Sequence, residues 1–189
     1  YYREWLNERA RMTDESLVKL AAGGDEKAFT TIYNRHKQSI YNFAFRFLQN
    51  SELAEDAAHE VFLSVYEHLE QFSENKGQFK AWLFTIAYHR CCRIKRNRKW
   101  RSLILQRESR QWEESIHDPD NPSAAVLDKI SLEHALSRLQ EKHRLPIILT
   151  KLQGFSIANC TKILGISETN VKQRIYRGMQ MLRKYFSND

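Results

Sequence analysis

Between Phe79 and Arg101 the stretch FKAWLFTIAYHRCCRIKRNRKWR contains no aspartate or glutamate, although the chain as a whole carries 30 Lys and Arg against 23 Asp and Glu. Other absences narrow the class of protein. No uninterrupted apolar run reaches the roughly 18 residues that a membrane-spanning helix needs. The N-terminal YYREWLNERARM lacks the apolar stretch and small-residue cleavage site of a secretory signal, so a soluble, cytoplasmic protein is expected. Cysteine is scarce: Cys91, Cys92 and Cys160 form no CxxC pair and have no histidine at zinc-finger spacing, and adjacent cysteines are poorly placed to bond each other. A disulfide scaffold and a structural zinc site are thereby excluded, and the thiols are expected to be reduced. Two of the three prolines fall in HDPDNPS. Neither an internal repeat nor the alternating pattern of a β-strand is evident, which points to an all-α chain.

What is present is 189 residues, 42% apolar and 28% charged, enough for one core of moderate size or two small ones. The net charge of +7 is unevenly spread. Lys80 to Arg101 holds 8 basic residues and no acidic one, and Phe155 to Phe186 holds 6 basic residues against the single acid Glu168. Ser51 to Glu74, SELAEDAAHEVFLSVYEHLEQFSE, is the reverse, with seven acids and no Lys or Arg. Two basic segments and one acidic one imply a polyanion met at two places and a different partner that prefers acid.

Helical periodicity accounts for most of the chain. Ala28, Phe29, Ile32, Tyr33, Ile40, Phe43, Ala44 and Phe47 keep the three-and-four spacing of one buried face, as do Ala54, Ala57, Val61, Phe62, Val65, Leu69 and Phe72. Ser51 is the expected N-cap of the second of these helices, with Glu52 beside its positive end. A third, basic helix starts near Phe79 with Phe79, Trp82, Leu83, Ile86, Ala87 and Ile94 to one side. Trp82 and Leu83 are assigned to packing, Tyr88 and His89 to the exposed surface, and His36, on the apolar line of its helix, to a satisfied interior position. From about Ser102 to Ser131 the periodicity fades into a linker. LEHALSRLQEKHRLPIILTKL then reads as helix, broken near Gln140 and with Pro146 in an early turn.

FSIANCTKILGISETNVKQRIYRGMQML has helix-turn-helix spacing. Ser156 caps a first helix with Cys160 and Leu164 on one face; Gly165 supplies the positive φ of the turn; Ile166 plugs the core; Ser167 caps a second helix whose Val171, Ile175, Met179 and Leu182 point inward. Thr169, Asn170, Lys172, Gln173, Arg174 and Arg177, with Ser167, form a set suited to base edges and phosphates in a major groove. Thr161 stands where a small alanine is usual. The plainer alternative for this segment is a helical hairpin with a solvated basic face.

These segments, taken in order from Asp14 to Phe186, resemble the two conserved regions of bacterial RNA polymerase sigma factors of the extracytoplasmic-function (ECF) group of the sigma-70 family. The resemblance implies two small helical domains on a flexible linker: an extension over residues 1–13, region 2 over 14–101, the linker over 102–131 and region 4 over 132–189. Met12 falls where such proteins commonly start, so the first 11 residues are expected to be an extension or an expression remnant. The family's AEDxxQEVF helix, here AEDAAHEVF, implies that Glu55, Asp56, His59 and Glu60 meet the β′ clamp helices of core polymerase, His59 replacing the usual glutamine. The helix FKAWLFTIAYHR and the loop before it imply contact with the separated strands of a −10 promoter element. Ser73 to Gln78 would form the base pocket, Asn75, Lys76 and Gln78 would read a flipped base, and Lys80, Tyr88, His89, Arg90, Arg93 and Arg96 would complete the surface. Tyr88 and His89 depart from the Arg-Asn that commonly follows Ile-Ala. Arg98 to Arg101 would continue onto duplex DNA or solubilise the linker. The helix-turn-helix implies −35 duplex recognition. Core polymerase, including its β flap, promoter DNA and an anti-sigma factor are the implied partners; a cofactor, a small-molecule substrate, catalysis and membrane insertion are not expected.

Three other readings remain open on the residues alone. A stand-alone helix-turn-helix repressor or activator would bind duplex operator without polymerase. A helical metalloenzyme could use Glu55 with His59 one turn on, or Glu114 with His117, although a di-iron bundle needs repeated inward carboxylates. An adaptor could copy only the polymerase-binding helix, but the DNA-facing residues of both domains argue against it.

Overall fold

The computed structural model describes residues 11–105 and 132–187, and among these the secondary structure is helical throughout. Four helices form the first half: α1 (Asp14–Ala22), α2 (Glu26–Leu48), α3 (Ser51–Glu67) and α4 (Phe79–Leu105). Short 3₁₀ turns at Leu69–Gln71 and Glu74–Lys76 lead from α3 into α4. The second half comprises α5 (132–137), α6 (Glu141–Ile147), a π-helical turn (Ile148–Leu152), α7 (Ile157–Leu164) and α8 (Glu168–Ser187). Beyond Leu105 the expected linker, with Glu114 and His117, lies outside the described residues.

Polar caps fix the helix starts. Asp25 Oδ1 accepts from the backbone N–H of Lys27 and Ala28, at 3.0 and 3.1 Å, and thereby opens α2. The cap of α3 is Asn50, whose Oδ1 accepts from Leu53 N–H at 2.8 Å, and Ser51 is already helical. The expectation of Ser51 is thus corrected by one residue, because α2 ends on Gln49 in the left-handed region (φ 55°) and the extended backbone needed at a cap falls on the next residue.

Apolar periodicity becomes a core in which Phe43, Phe47, Phe79 and Phe84 are fully buried. Removing one such ring costs about 3–5 kcal/mol, so these positions dominate the stability of the first half. His36 is interior, as the periodicity implied: its Nε2 lies 2.8 Å from Asp14 Oδ2 and its ring packs edge-on to Phe79. Asp14 is also bonded to Arg35 at 2.6 Å, which ties α1 to α2. Burial pushes the Asp14 carboxyl up, but the hydrogen bonds and charges of His36 and Arg35 outweigh it and hold the group below the ordinary carboxylate value.

In the second half the helix-turn-helix reading holds in detail. Ser156 Oγ accepts from Asn159 N–H, Gly165 takes φ 65°, and Ser167 Oγ accepts from Asn170 N–H. Thr161 is accommodated because its hydroxyl donates to Ile157 O at 2.7 Å, which satisfies it within its own helix. Pro146 differs from expectation: it stands in the second turn of α6, where its missing N–H leaves the helix ladder incomplete. The chain responds by widening into the π turn, and Thr150 Oγ1 donates back to Pro146 O at 2.7 Å. At the crossing of α6 and α8, Gly178 admits close approach; a Cβ there would lie 2.6 Å from Ile147 Cδ1 and 3.3 Å from His143 Cβ.

The two halves are packed against each other. Leu145, Ile148, Leu149, Phe155, Cys160, Ile163, Leu164 and Val171 belong to the same continuous apolar cluster as the core of the first half. Phe155 meets Phe84 edge-on with ring centroids 4.9 Å apart. A smaller cluster of Ala135, Leu136, Leu139, Ile147 and Leu182 closes the far side of the second half.

Candidate functional site

The acidic helix α3 buries Ala54, Ala57, Val61, Phe62 and Val65 and turns Glu55, Asp56 and His59 to solvent. Helical spacing puts Leu63 and Tyr66 on the outward side with them, and these are 51% and 54% exposed. The sequence reading left both out of the buried line of this helix but assigned them no role; the available signal was that Leu63 lies off the inner line that runs through Val61, Phe62 and Val65. Glu60 behaves differently from its neighbours. Its Oε2 lies 2.7 Å from an Arg90 guanidinium nitrogen and 4.0 Å from Arg93, so the structure joins one residue assigned to the protein partner with two assigned to nucleic acid.

Ahead of α4, a cleft of about 330 Å³ opens between α1 and the turns that follow α3, lined in part by Val18, Leu69, Phe72, Ser73 and Asn75. Lys19 and Glu74, 2.8 Å apart, also line it. This places Ser73 and Asn75 of the expected base pocket in one concavity with apolar walls. Gln78 is exposed beside it.

Along α4, His89, Arg93 and Arg96 are exposed. Tyr88 is not part of an exposed pair as expected: it is half-buried, with its ring 5.9 Å from that of Phe47. Burial, and after it the neighbouring Cys92 thiol, push its hydroxyl up to about 12. The apolar face of α4 is broader than the sequence suggested because the second half covers part of it. Lys80 is held by that cover, donating to Gln153 O at 2.7 Å with its ammonium 5.0 Å from the Phe155 ring centroid. Arg90, in contrast, is engaged from the α3 side.

On α8 the exposed residues Thr169, Asn170, Lys172, Gln173 and Arg177 are joined by Tyr176, 64% exposed, which belongs to the same helical face and was absent from the sequence-based set. Lys172 pairs with Glu168 at 2.6 Å, and Arg174 Nε donates to Asn170 Oδ1 at 3.2 Å, so Arg174 orders the face rather than projecting from it. Ser167 serves as the cap. Among the described residues no three His, Cys, Asp or Glu side chains gather as a metal ion would require, and no helix is long and apolar enough to cross a membrane.

Comparison with known proteins gives these surfaces their family. Residues 32–101 match the family model for sigma-70 region 2 and residues 129–182 that for sigma-70 region 4. The ECF RNA polymerase sigma factor SigL of Mycobacterium tuberculosis is 28% identical over 166 residues, covering 88% of this chain and 93% of its own. SigW of Bacillus subtilis, also an ECF RNA polymerase sigma factor, is 29% identical over 175 residues with the same coverage. The fold is that of the sigma factor RpoE of Bartonella quintana, solved in complex with the anti-sigma factor NepR: TM-score 0.72, 24% identity, 86% of this chain and 99% of that one. The relatives are regulators of transcription rather than enzymes. With both conserved regions in order on a matching fold, the chain belongs to the sigma-70 family, as an RNA polymerase sigma factor of the extracytoplasmic-function type.

Proposed function

We propose that this sigma factor docks on core RNA polymerase through the outward face of α3, with Asp56, His59 and Glu55 as its polar part and Leu63 and Tyr66 as its apolar part, and directs initiation at promoters of two-part structure. Apolar anchors inside a charged rim are the usual anatomy of a protein interface. The observation that carries this assignment is the exposure of Leu63 and Tyr66 on a face otherwise acidic.

The cleft at Ser73 and Asn75, with Lys76 and Gln78 close by in the chain, would take an unstacked base of the −10 element. Lys80, His89, Arg90, Arg93 and Arg96 would follow the strand's phosphates, with Tyr88 contributing from its half-buried position. Capture of a base in such a pocket supplies about 1–3 kcal/mol toward the stacking lost on strand separation. In the second half Lys172, Gln173, Arg177 and Thr169, with Tyr176, would enter the −35 major groove, while Ser167, Asn170 and Arg174 set the helix and its phosphate contacts. The protein works in the cytoplasm, catalyses nothing itself and is controlled by an anti-sigma factor; the relative solved with such a partner supports that class of regulator.

Selection of promoter fragments with the reconstituted holoenzyme tests the reading. Two consensus blocks at fixed spacing are expected, and Arg177→Ala should relax the −35 block at one position, a discrimination worth about 1–3 kcal/mol. Tight binding of isolated protein to a palindromic duplex, independent of polymerase, would establish the repressor reading instead.

A further inference from the structure

The basic helix α4 begins without an acid of its own: its first turn, FKAW, holds none. The carbonyl of Gln78 takes the N–H groups of Ala81 and Trp82 at 3.1 and 3.2 Å, which leaves the N–H of Phe79 to be satisfied from elsewhere. It donates to Glu15 Oε1 of α1, 64 positions away in the chain, at 3.1 Å. A carboxylate there also suits the positive end of the helix. One turn further along α1, on the same side, Lys19 pairs with Glu74 at 2.8 Å. Two side chains of α1 therefore hold the two ends of the stretch 74–79. Between these ends the backbone doubles back, Gly77 N–H donating to Glu74 O at 3.0 Å with Gly77 at φ 137°, a conformation that side-chain-bearing residues rarely adopt. The support is itself fixed. Leu17 and Val18 of α1 are buried, Asp14 is bonded to His36 and Arg35, and the His36 ring packs on Phe79, the residue that Glu15 caps.

We propose that α1 is the positioning element of the base pocket, with Glu15 and Lys19 as its positioning residues. Val18, Lys19 and Ala22 already supply one wall of the cleft at Ser73 and Asn75, so the helix that walls the cleft also sets the stance of the loop opposite. This deepens the reading of the cleft as the −10 base site and rests on it. A loop ordered in advance loses little freedom when a base enters, and the gain on capture goes toward strand separation instead of loop ordering. Both contacts suit that role better than a role in stability. The Lys19 and Glu74 side chains are 71% and 43% exposed, and ion pairs in that setting stabilise a fold little. Their effect falls on where the loop stands.

Promoter selection with holoenzyme reconstituted from each full-length variant tests this, because the two blocks of the site report separately on one molecule. The probe is a library of duplex fragments randomised over both blocks. With Glu15→Ala the preference at one position of the −10 block should fall at least about fivefold, and with Lys19→Met about twofold, while the −35 block keeps its wild-type preference in both. Glu15→Gln, whose amide oxygen can accept the same N–H, should stay within about twofold of wild type. Circular dichroism melts confirm that each variant is folded before selection; Lys19→Met, at an exposed side chain, decides the question alone if Glu15→Ala does not fold. A −10 block unchanged in the variants, both blocks weakened in parallel, or Glu15→Gln as poor as Glu15→Ala overturns the positioning role, and the two blocks selected by wild type leave the sigma-factor reading standing. Wild-type holoenzyme that selects no two-block consensus overturns this inference together with the reading beneath it.

Discussion

Arg144 poses the sharpest energetic question in the molecule. It is 4% exposed, and its guanidinium donates to Ser137 O at 3.2 Å, Leu139 O at 3.5 Å and, across the interface, Phe47 O at 3.4 Å, while its Nε has no partner. Burial holds the group below the usual arginine range, and the charge of Glu141 works the other way. The three bonds are at the long limit of useful geometry and contribute about 0.5–1 kcal/mol each, against roughly 1–3 kcal/mol for the unbonded Nε. Those magnitudes nearly cancel. Arg144→Met, which keeps most of the volume, should therefore fall within about 1 kcal/mol of wild type, the outcome found when buried charge is replaced by packed hydrocarbon. Arg144→Ala adds an unfilled space and should cost about 2–4 kcal/mol. Urea denaturation followed by circular dichroism, with both midpoint and slope recorded, separates the two. If Met proves as costly as Ala, the hydrogen bonds rather than the packing carry this residue, and the reasoning fails.

Other outcomes follow from single contacts. Gly178→Leu forces α6 and α8 apart where even a Cβ meets Ile147 and His143, so a loss of about 1–3 kcal/mol is expected in a thermal melt; an unchanged melt would mean that the crossing is looser than the distances show. Asp14 titrates below its unfolded value of 3.8 in the folded chain, so between those two values the unfolded chain binds more protons; the stability from its contacts with His36 and Arg35 is present above 3.8 and lost as pH falls below it. Asp14→Asn should accordingly flatten the acid limb of the melting profile, and an unaltered limb would assign acid sensitivity elsewhere. At pH 8 in the native state a thiol reagent should modify Cys92 rapidly and reach Cys91 and Cys160 only on unfolding, since burial raises these two most; three fast thiols would show that the interface opens freely.

Much of this protein can be read from its residues because helical spacing is a local property. The inner line of α2, the serine caps at 156 and 167, the positive φ at Gly165 and the interior place of His36 all depend on neighbours within a turn or two, and all stand where the spacing put them except Tyr33, which lies at the edge of that line and is 39% exposed. The cap at Asn50 and the position of Pro146 were missed by short distances, since each is decided by how the preceding helix ends or how a broken ladder is repaired. The surfaces were less legible. Leu63 and Tyr66 fall off the inner line of α3, but only the packing of α3 on its neighbours shows that they remain exposed beside the acidic residues.

By itself the sequence determined that the chain is helical, that its charge is divided into one acidic and two basic tracts, and that its motifs are those of a sigma factor. Which cations are available was decided by tertiary structure alone. Lys80 is separated by 73 positions in the chain from the carbonyl that holds it, Lys95 by 46 from Glu141 and Arg46 by 87 from Glu133. Coulomb attraction and shared apolar burial act through space, and no pattern along the chain records which distant oxygen a lysine will meet.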